Sequence, residues 1–209
     1  YPGSRPSVLI SLEGKDSWLR QSIGSLTLED LTVLVRYGGT VSPETSRPPL
    51  IEANGELTLR RCTFAVQSGS SRDSSVVRAI GQPVRVNSCL FRGFDRPLDL
   101  IAFSGVHHEV SNSVFVWTRG TSGRPSGWPV RIATRFGNQP PPAKLTIDRC
   151  SVLMGAGLVE TTSLLGDQPL EIQVSGSGIR ADHLICWSPP TEEAPFPTGI
   201  RWIGKGNSY

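Results

Sequence analysis

The sequence predicts an all-β chain wound as a right-handed, single-stranded parallel β-helix, a solenoid of about six to seven rungs. Three observations carry this. The spelling apolar, polar, apolar, two polar, small, polar, apolar stands at residues 57–64 as LTLRRCTF and returns from Leu26, Val84, His108, Leu145 and Ile179. Self-similarity of this kind marks stacked units. Within each copy the first and third residues alternate inward with a strand's two-residue period, and a polar pair breaks the alternation before positions six and eight resume it, which describes two short strands meeting at a corner. Finally, a short apolar strand ending on glycine precedes most copies, and glycine suits such a turn because it accepts positive φ.

In chain order, residues 7–12 (SVLISL) alternate as a strand and residues 18–24 (WLRQSIG) lead into the first copy, so residues 1–25 form a leading rung and N-terminal segment. The same strand-glycine arrangement returns as PLIEANG at 49–55, VVRAIG at 76–81 and LDLIAFSG at 98–105, with VRIATRFG at 130–137 and LVETT at 158–162 as the third strands of later rungs. Three strands per coil give a triangular section, and crossover chirality gives the right hand. The rungs fill residues 26–187. Polar, Pro/Gly-rich stretches at 41–49, 67–75, 119–128, 138–143 and 188–198 are insertions at the corners, where solenoids commonly build their binding surface. Residues 188–209 form a loop and the start of a further rung. Stacked strands need a cover, so the natural chain is expected to continue beyond Tyr209, and a start at Tyr1 is that of an excised domain.

Stacking the copies places Leu31, Cys62, Cys89, Ser113, Cys150 and Leu184 in one inward column. No CxxC pair occurs, and thiols pointing the same way from successive rungs are poorly aimed for a disulfide. They are expected to act as small buried ladder residues. His108 also falls on an inward position.

Composition narrows the partners. A chain of 209 residues with 37% hydrophobic content can bury a continuous core. Its net charge is +3, all but three of the 21 basic residues are arginine, and no basic run exceeds Arg60-Arg61, which argues against nucleic acid. No apolar run approaches the roughly 18 residues of a membrane span, so membrane insertion by this segment is not expected.

Pattern and glycine punctuation together resemble the pectin-lyase-like superfamily of parallel β-helices over residues 19–187, and the LTLxxCxF-type rungs are most similar to noncatalytic modules of bacterial multidomain proteins, some attached to protein kinases. The resemblance implies a scaffold or recognition module, binding a glycan or another protein, with additional domains on the same chain and an extracellular or cell-surface setting. The alternative it leaves is a carbohydrate-active enzyme, a polysaccharide lyase or glycoside hydrolase acting on acidic polysaccharide. The polygalacturonase pattern of Asp-Asp, GHG and RIK is absent, as are the Gln-Asp-Thr run of pectin esterases and the Asp-Pro-His of epimerases. Fold alone does not choose among the family's activities, and no cofactor is implied.

Three constellations remain as candidate sites. Arg92, Asp95, Arg96 and Asp99 in FRGFDRPLDL could face one ligand with two cations and two carboxylates, though Asp beside Arg on a turn is ordinarily a surface ion pair. Trp117, Arg119, Arg124 and Trp128 flank a Gly/Ser loop, and indole faces with guanidiniums suit sugars and carboxylates. Asp148 and Asp182, stacked at the fourth position with Arg149 and His183 beside them, are the candidate cation pair.

Overall fold

The computed structural model describes residues 6–12, 16–38, 47–68, 74–117, 127–135, 142–165, 170–188 and 199–209. An opening strand β1 (Ser7–Leu12) is followed by a coil of β2 (Leu19–Gln21), β3 (Ser25–Glu29) and β4 (Thr32–Tyr37). The second coil is β5 (Ile51–Ala53), β6 (Glu56–Arg60) and β7 (Thr63–Ser68), and the third is β8 (Val77–Ile80), β9 (Val84–Asn87) and β10 (Leu90–Arg92). The fourth is β11 (Leu98–Ala102), β12 (His107–Ser111) and β13 (Val114–Val116). The fifth is β14 (Val130–Arg135), β15 (Ala143–Asp148) and β16 (Ser151–Leu165), after which come β17 (Leu170–Ser175), β18 (Gly178–Trp187) and β19 (Ile200–Lys205). No helix occurs among the described residues.

Every pairing of these strands is parallel and joins strands from successive coils, which makes the chain a β-solenoid. Face I is a seven-stranded sheet, β3-β6-β9-β12-β15-β17-β19. Face II runs β1-β4-β7-β10-β13 and face III runs β2-β5-β8-β11-β14, and β16 joins the two into one sheet that β18 extends. Residues 151–153 of β16 pair with β13 while residues 159–165 pair with β14. The stack completes about five turns rather than the expected six to seven. From β16 onward one long strand covers two faces, so coils with three separate strands end with the fifth.

The corner from face I to face II is the ruler of the fold. Its first residue adopts a left-handed conformation in every coil: Asp30, Arg61, Ser88, Asn112 and Arg149 at φ of 50–56°, then Gly176 at 54° and Gly206 at 64°. A single αL residue turns the chain sharply, and a polar side chain tolerates that conformation better than a β-branched one. The next residue turns its side chain inward: Cys62, Cys89, Ser113, Cys150 and Ser177 are all buried. The Cys62 N–H donates to Cys89 Sγ at 3.4 Å, the Cys89 N–H to Ser113 Oγ at 3.1 Å, the Cys150 N–H to Ser177 Oγ at 3.0 Å and the Ser177 N–H to Asn207 Oδ1 at 2.9 Å. Each thiol or hydroxyl also donates back to the carbonyl two residues earlier, as Ser113 does to Ser111 at 2.8 Å. The thiols are therefore more than apolar filler. A small side chain with both a donor and an acceptor satisfies backbone groups that the corner would otherwise strand in the core.

The first five copies sit in the expected register, but the sixth is corrected. Asp148 lies opposite Ser175, Ser151 opposite Gly178 and Val152 opposite Ile179, so the sixth copy is IQVSGSGI at residues 172–179 and a seventh, WIGKGNSY, stands at 202–209. IRADHLIC forms most of β18 on faces II and III, and Leu184 is not a corner residue.

Inside the coil, Phe64, Phe91 and Phe115 stack at centroid distances of 5.6 and 5.0 Å with ring planes within 8°. Each such pair contributes about 0.5–1.5 kcal/mol beyond its buried area. Leu57, Val84, Leu145 and Ile172 fill another inward column, with His108 buried among them.

Candidate functional site

Connections at the corner from face II to face III are longer and more varied than the tight face I to face II corner. Residues 13–18, 38–50, 69–76, 93–97 and 117–129 all leave face II there and enter face III. The described parts are bound to one another across coils. The Arg96 N–H donates to the Ser74 carbonyl at 2.9 Å, the Asp95 N–H to Ser74 Oγ at 3.2 Å, the Trp128 N–H to the Asp95 carbonyl at 2.8 Å and the Ala156 N–H to the Gly127 carbonyl at 2.9 Å. The loop carrying Asp95 and the loop carrying Trp128, separate in sequence, are thus neighbours on one corner.

Of the first constellation, Asp95 and Arg96 stay together, 3.8 Å apart. The other members diverge. Arg92 is exposed on the outside of face II. Arg96 Nε reaches Glu160 at 2.8 Å, and Ser188 Oγ donates to the other Glu160 oxygen at 2.7 Å. Asp99 is buried on face III between Arg78, at 2.9 Å, and Arg131, whose two nitrogens meet its two oxygens at 2.8 and 2.6 Å. Burial pushes the Asp99 carboxyl up, and the guanidiniums of Arg131 and Arg78 more than reverse it, so Asp99 stays ionised below the ordinary carboxylate range. A general acid needs the opposite shift.

These pairs belong to a longer pattern. Register places Arg20, Glu52, Arg78, Asp99, Arg131 and Glu160 in one outward column on face III, with the sign of charge alternating at every step. Sequence reasoning missed Glu160. Its signal was present in LVETT, where the glutamate takes the outward parity of a third strand.

Trp117 and Trp128 are built into the corner. Trp117 is only 4% exposed and stacks on Phe115 at 6.5 Å. A Cβ at Gly127 would collide with the Trp117 indole, one at Gly157 would collide with the Trp128 ring, and one at Gly155 would lie 3.2 Å from Trp117 Cζ3. The two glycines of β16 therefore make room for the two indoles. Burial leaves no face of Trp117 open to a sugar, whereas Trp128 is half-buried. Arg119 and Arg124 lie outside the described residues.

Asp148 and Asp182 do not meet. Asp148 accepts from Ser175 Oγ at 2.6 Å and pairs with Arg149 at 2.8 Å. Asp182 is exposed on β18, between residues paired with Gly155 and Gly157. The expected stacking rested on the mis-registered sixth copy. Among the described residues no group of three His, Cys, Asp or Glu side chains is arranged to hold a metal ion.

On face I, His107 Nε2 lies 2.9 Å from Thr146 Oγ1 and its Nδ1 lies 3.5 Å from Glu109. Hydroxyl, imidazole and carboxylate stand in the order of a nucleophile relay. Glu109 is too distant for a strong hydrogen bond, however, and at 41% and 47% exposure water competes for His107 and Glu109. Burial lowers the His107 pKa, with Glu109 opposing. Burial pushes Cys150 up to about 11, and hydrogen bonding with Cys62 together with burial raises Cys89, while the same hydrogen bond lowers Cys62, a thiol that is itself buried.

Compared with protein-family models, with curated proteins and with solved structures, the chain finds no match.

Proposed function

We propose that the chain is a noncatalytic β-solenoid module whose face II to face III corner recognises a glycan or another protein, as part of a larger bacterial surface or signalling protein of the pectin-lyase-like kind. One observation carries this reading. Loops from successive coils are hydrogen-bonded into a continuous crest, while Asp99 and Glu160 beside it are held by arginines and a serine. Such a surface is stiff enough to recognise a ligand, and its carboxylates are committed to structure rather than proton transfer.

The enzymatic alternative is tested directly. An acidic-polysaccharide panel, assayed with and without calcium, is expected to show no turnover, and reproducible absorbance from unsaturated sugar or release of reducing ends would replace the module with a lyase or hydrolase. Binding is a separate measurement. Trp128→Ala, Arg119→Ala and Arg124→Ala are expected to weaken hits on a glycan array or in a protein pull-down; a profile unchanged by all three removes this corner as the recognition surface.

A further inference from the structure

The three outer faces differ in kind. Face III carries the alternating charges described above, and the middle of face I runs Thr58, Arg85, Glu109 and Thr146. On face II the same register stacks Leu9, Leu34, Ala65, Arg92, Val116, Leu153 and Arg180. The two ends of the aliphatic run, Leu9 and Leu153, are 55% and 42% exposed. A parallel second column adds Leu90 and Val114. These side chains point away from the core that Phe64, Phe91 and Phe115 fill from the same strands. Leu34, Leu90, Val114 and Val116 are half-buried on this outer side.

Charge completes the picture. Among the described residues, the face II strands β1, β4, β7, β10 and β13 with residues 151–153 and 178–180 hold three arginines, Arg36, Arg92 and Arg180, and no aspartate or glutamate. All three are exposed. Parallel sheets usually have both faces covered, and an aliphatic strip interspersed with one sign of charge marks an interaction surface.

We propose that face II docks an acidic amphipathic helix of a partner protein, its apolar side along Leu34, Leu90, Val116 and Leu153 and its carboxylates on Arg36, Arg92 and Arg180. The complementary sign is what selects this occupant. A second copy using the same face would set arginine against arginine with no carboxylate to relieve it. A lipid surface calls for interfacial Trp or Tyr and a dense basic cluster of about four to eight residues, whereas this face presents aliphatics and three separated guanidiniums, which suit carboxylates two oxygens at a time. Six steps of about 4.8 Å make the column roughly 29 Å long, the length of a helix of about 20 residues.

The test uses a fluorescein-labelled 20-residue peptide with leucine on one helical face and glutamate on the other, read by anisotropy against the whole chain. Saturable binding is expected, weakened at least tenfold by Leu153→Asp and by the double variant Arg92→Glu/Arg180→Glu. The double variant should in turn bind the leucine/lysine counterpart of the peptide, a gain that misfolding cannot imitate. Failure of the glutamate peptide to bind, or binding indifferent to these substitutions, overturns the proposal. So does cosedimentation with phosphatidylserine vesicles without peptide binding, or self-association by light scattering that Leu153→Asp abolishes.

Discussion

Ser177 takes the backbone N–H of Cys150 on its Oγ at 3.0 Å and gives its own proton to the Ser175 carbonyl at 2.9 Å. One hydroxyl thereby serves two buried backbone groups on different coils. Ser113 does the same for Cys89 and Ser111. Replacing Ser113 with alanine adds no bulk and strands the Cys89 N–H, while the Ser111 carbonyl keeps the Ser88 N–H, at a cost of about 1–3 kcal/mol. Ser113→Cys should stay close to the parent, because cysteine occupies the same position in three other coils. Urea unfolding of the two variants distinguishes a hydrogen-bonding column from a merely small one.

His108 sits in the apolar column with Nδ1 accepting the Val84 N–H at 3.3 Å and Nε2 buried without a partner. Burial, with a smaller contribution from His107, pushes its pKa from 6.5 down to about 4. Between those values the unfolded chain binds a proton that the folded chain refuses. Stability should therefore fall as pH drops from about 6.5 to about 4, by roughly 3 kcal/mol, with no further loss from this group below that. Chemical unfolding across the window is expected to show a shallower slope in His108→Leu. His107 shifts the same way, so a residual slope remains.

Gly157 and Trp128 share one space. Gly157→Ala should destabilise by about 1–3 kcal/mol as the ring is displaced, and most of that cost should vanish in a Trp128→Ala background. A double-mutant cycle read by thermal unfolding measures the coupling. Additive effects would mean that the cost of Gly157→Ala does not arise from the indole.

Asp99 shares one negative charge between two guanidiniums. Asp99→Asn leaves Arg78 and Arg131 stacked as like charges and should cost about 2–4 kcal/mol, less than a wholly buried pair because both arginines keep some solvent. Stability of Asp99→Asn should also rise with added salt relative to the parent, which a denaturation series at increasing sodium chloride checks.

Five coils were legible because cysteine or serine at the corner, or leucine in the first coil, and phenylalanine or valine two residues later leave a readable spelling. The sixth was not, since Gly176 and Ser177 replace the polar pair and cysteine while IRADHLIC imitates the apolar pattern inside a ten-residue strand. Spacing held the missing clue: Ser177 follows Cys150 by 27 residues, the step that separates Cys89 from Cys62. That slip also produced the pairing of Asp148 with Asp182. The packing of Trp117 and Trp128 against β16 was illegible for another reason. It depends on Gly155, 38 residues after Trp117, and Gly157, 29 after Trp128, which become relevant only when the next coil arrives beneath the loop.

Pitch and decoration are held by different edges of the prism. The αL residues and their thiol and hydroxyl partners measure out each winding at one edge, while another edge accepts spans as short as residues 93–97 or as long as 38–50 without disturbing the measure. Inserting residues between Gly38 and Arg47 should leave the pairing of β4 with β7 and of β2 with β5 intact, so that new recognition chemistry can be grafted there at little cost to folding.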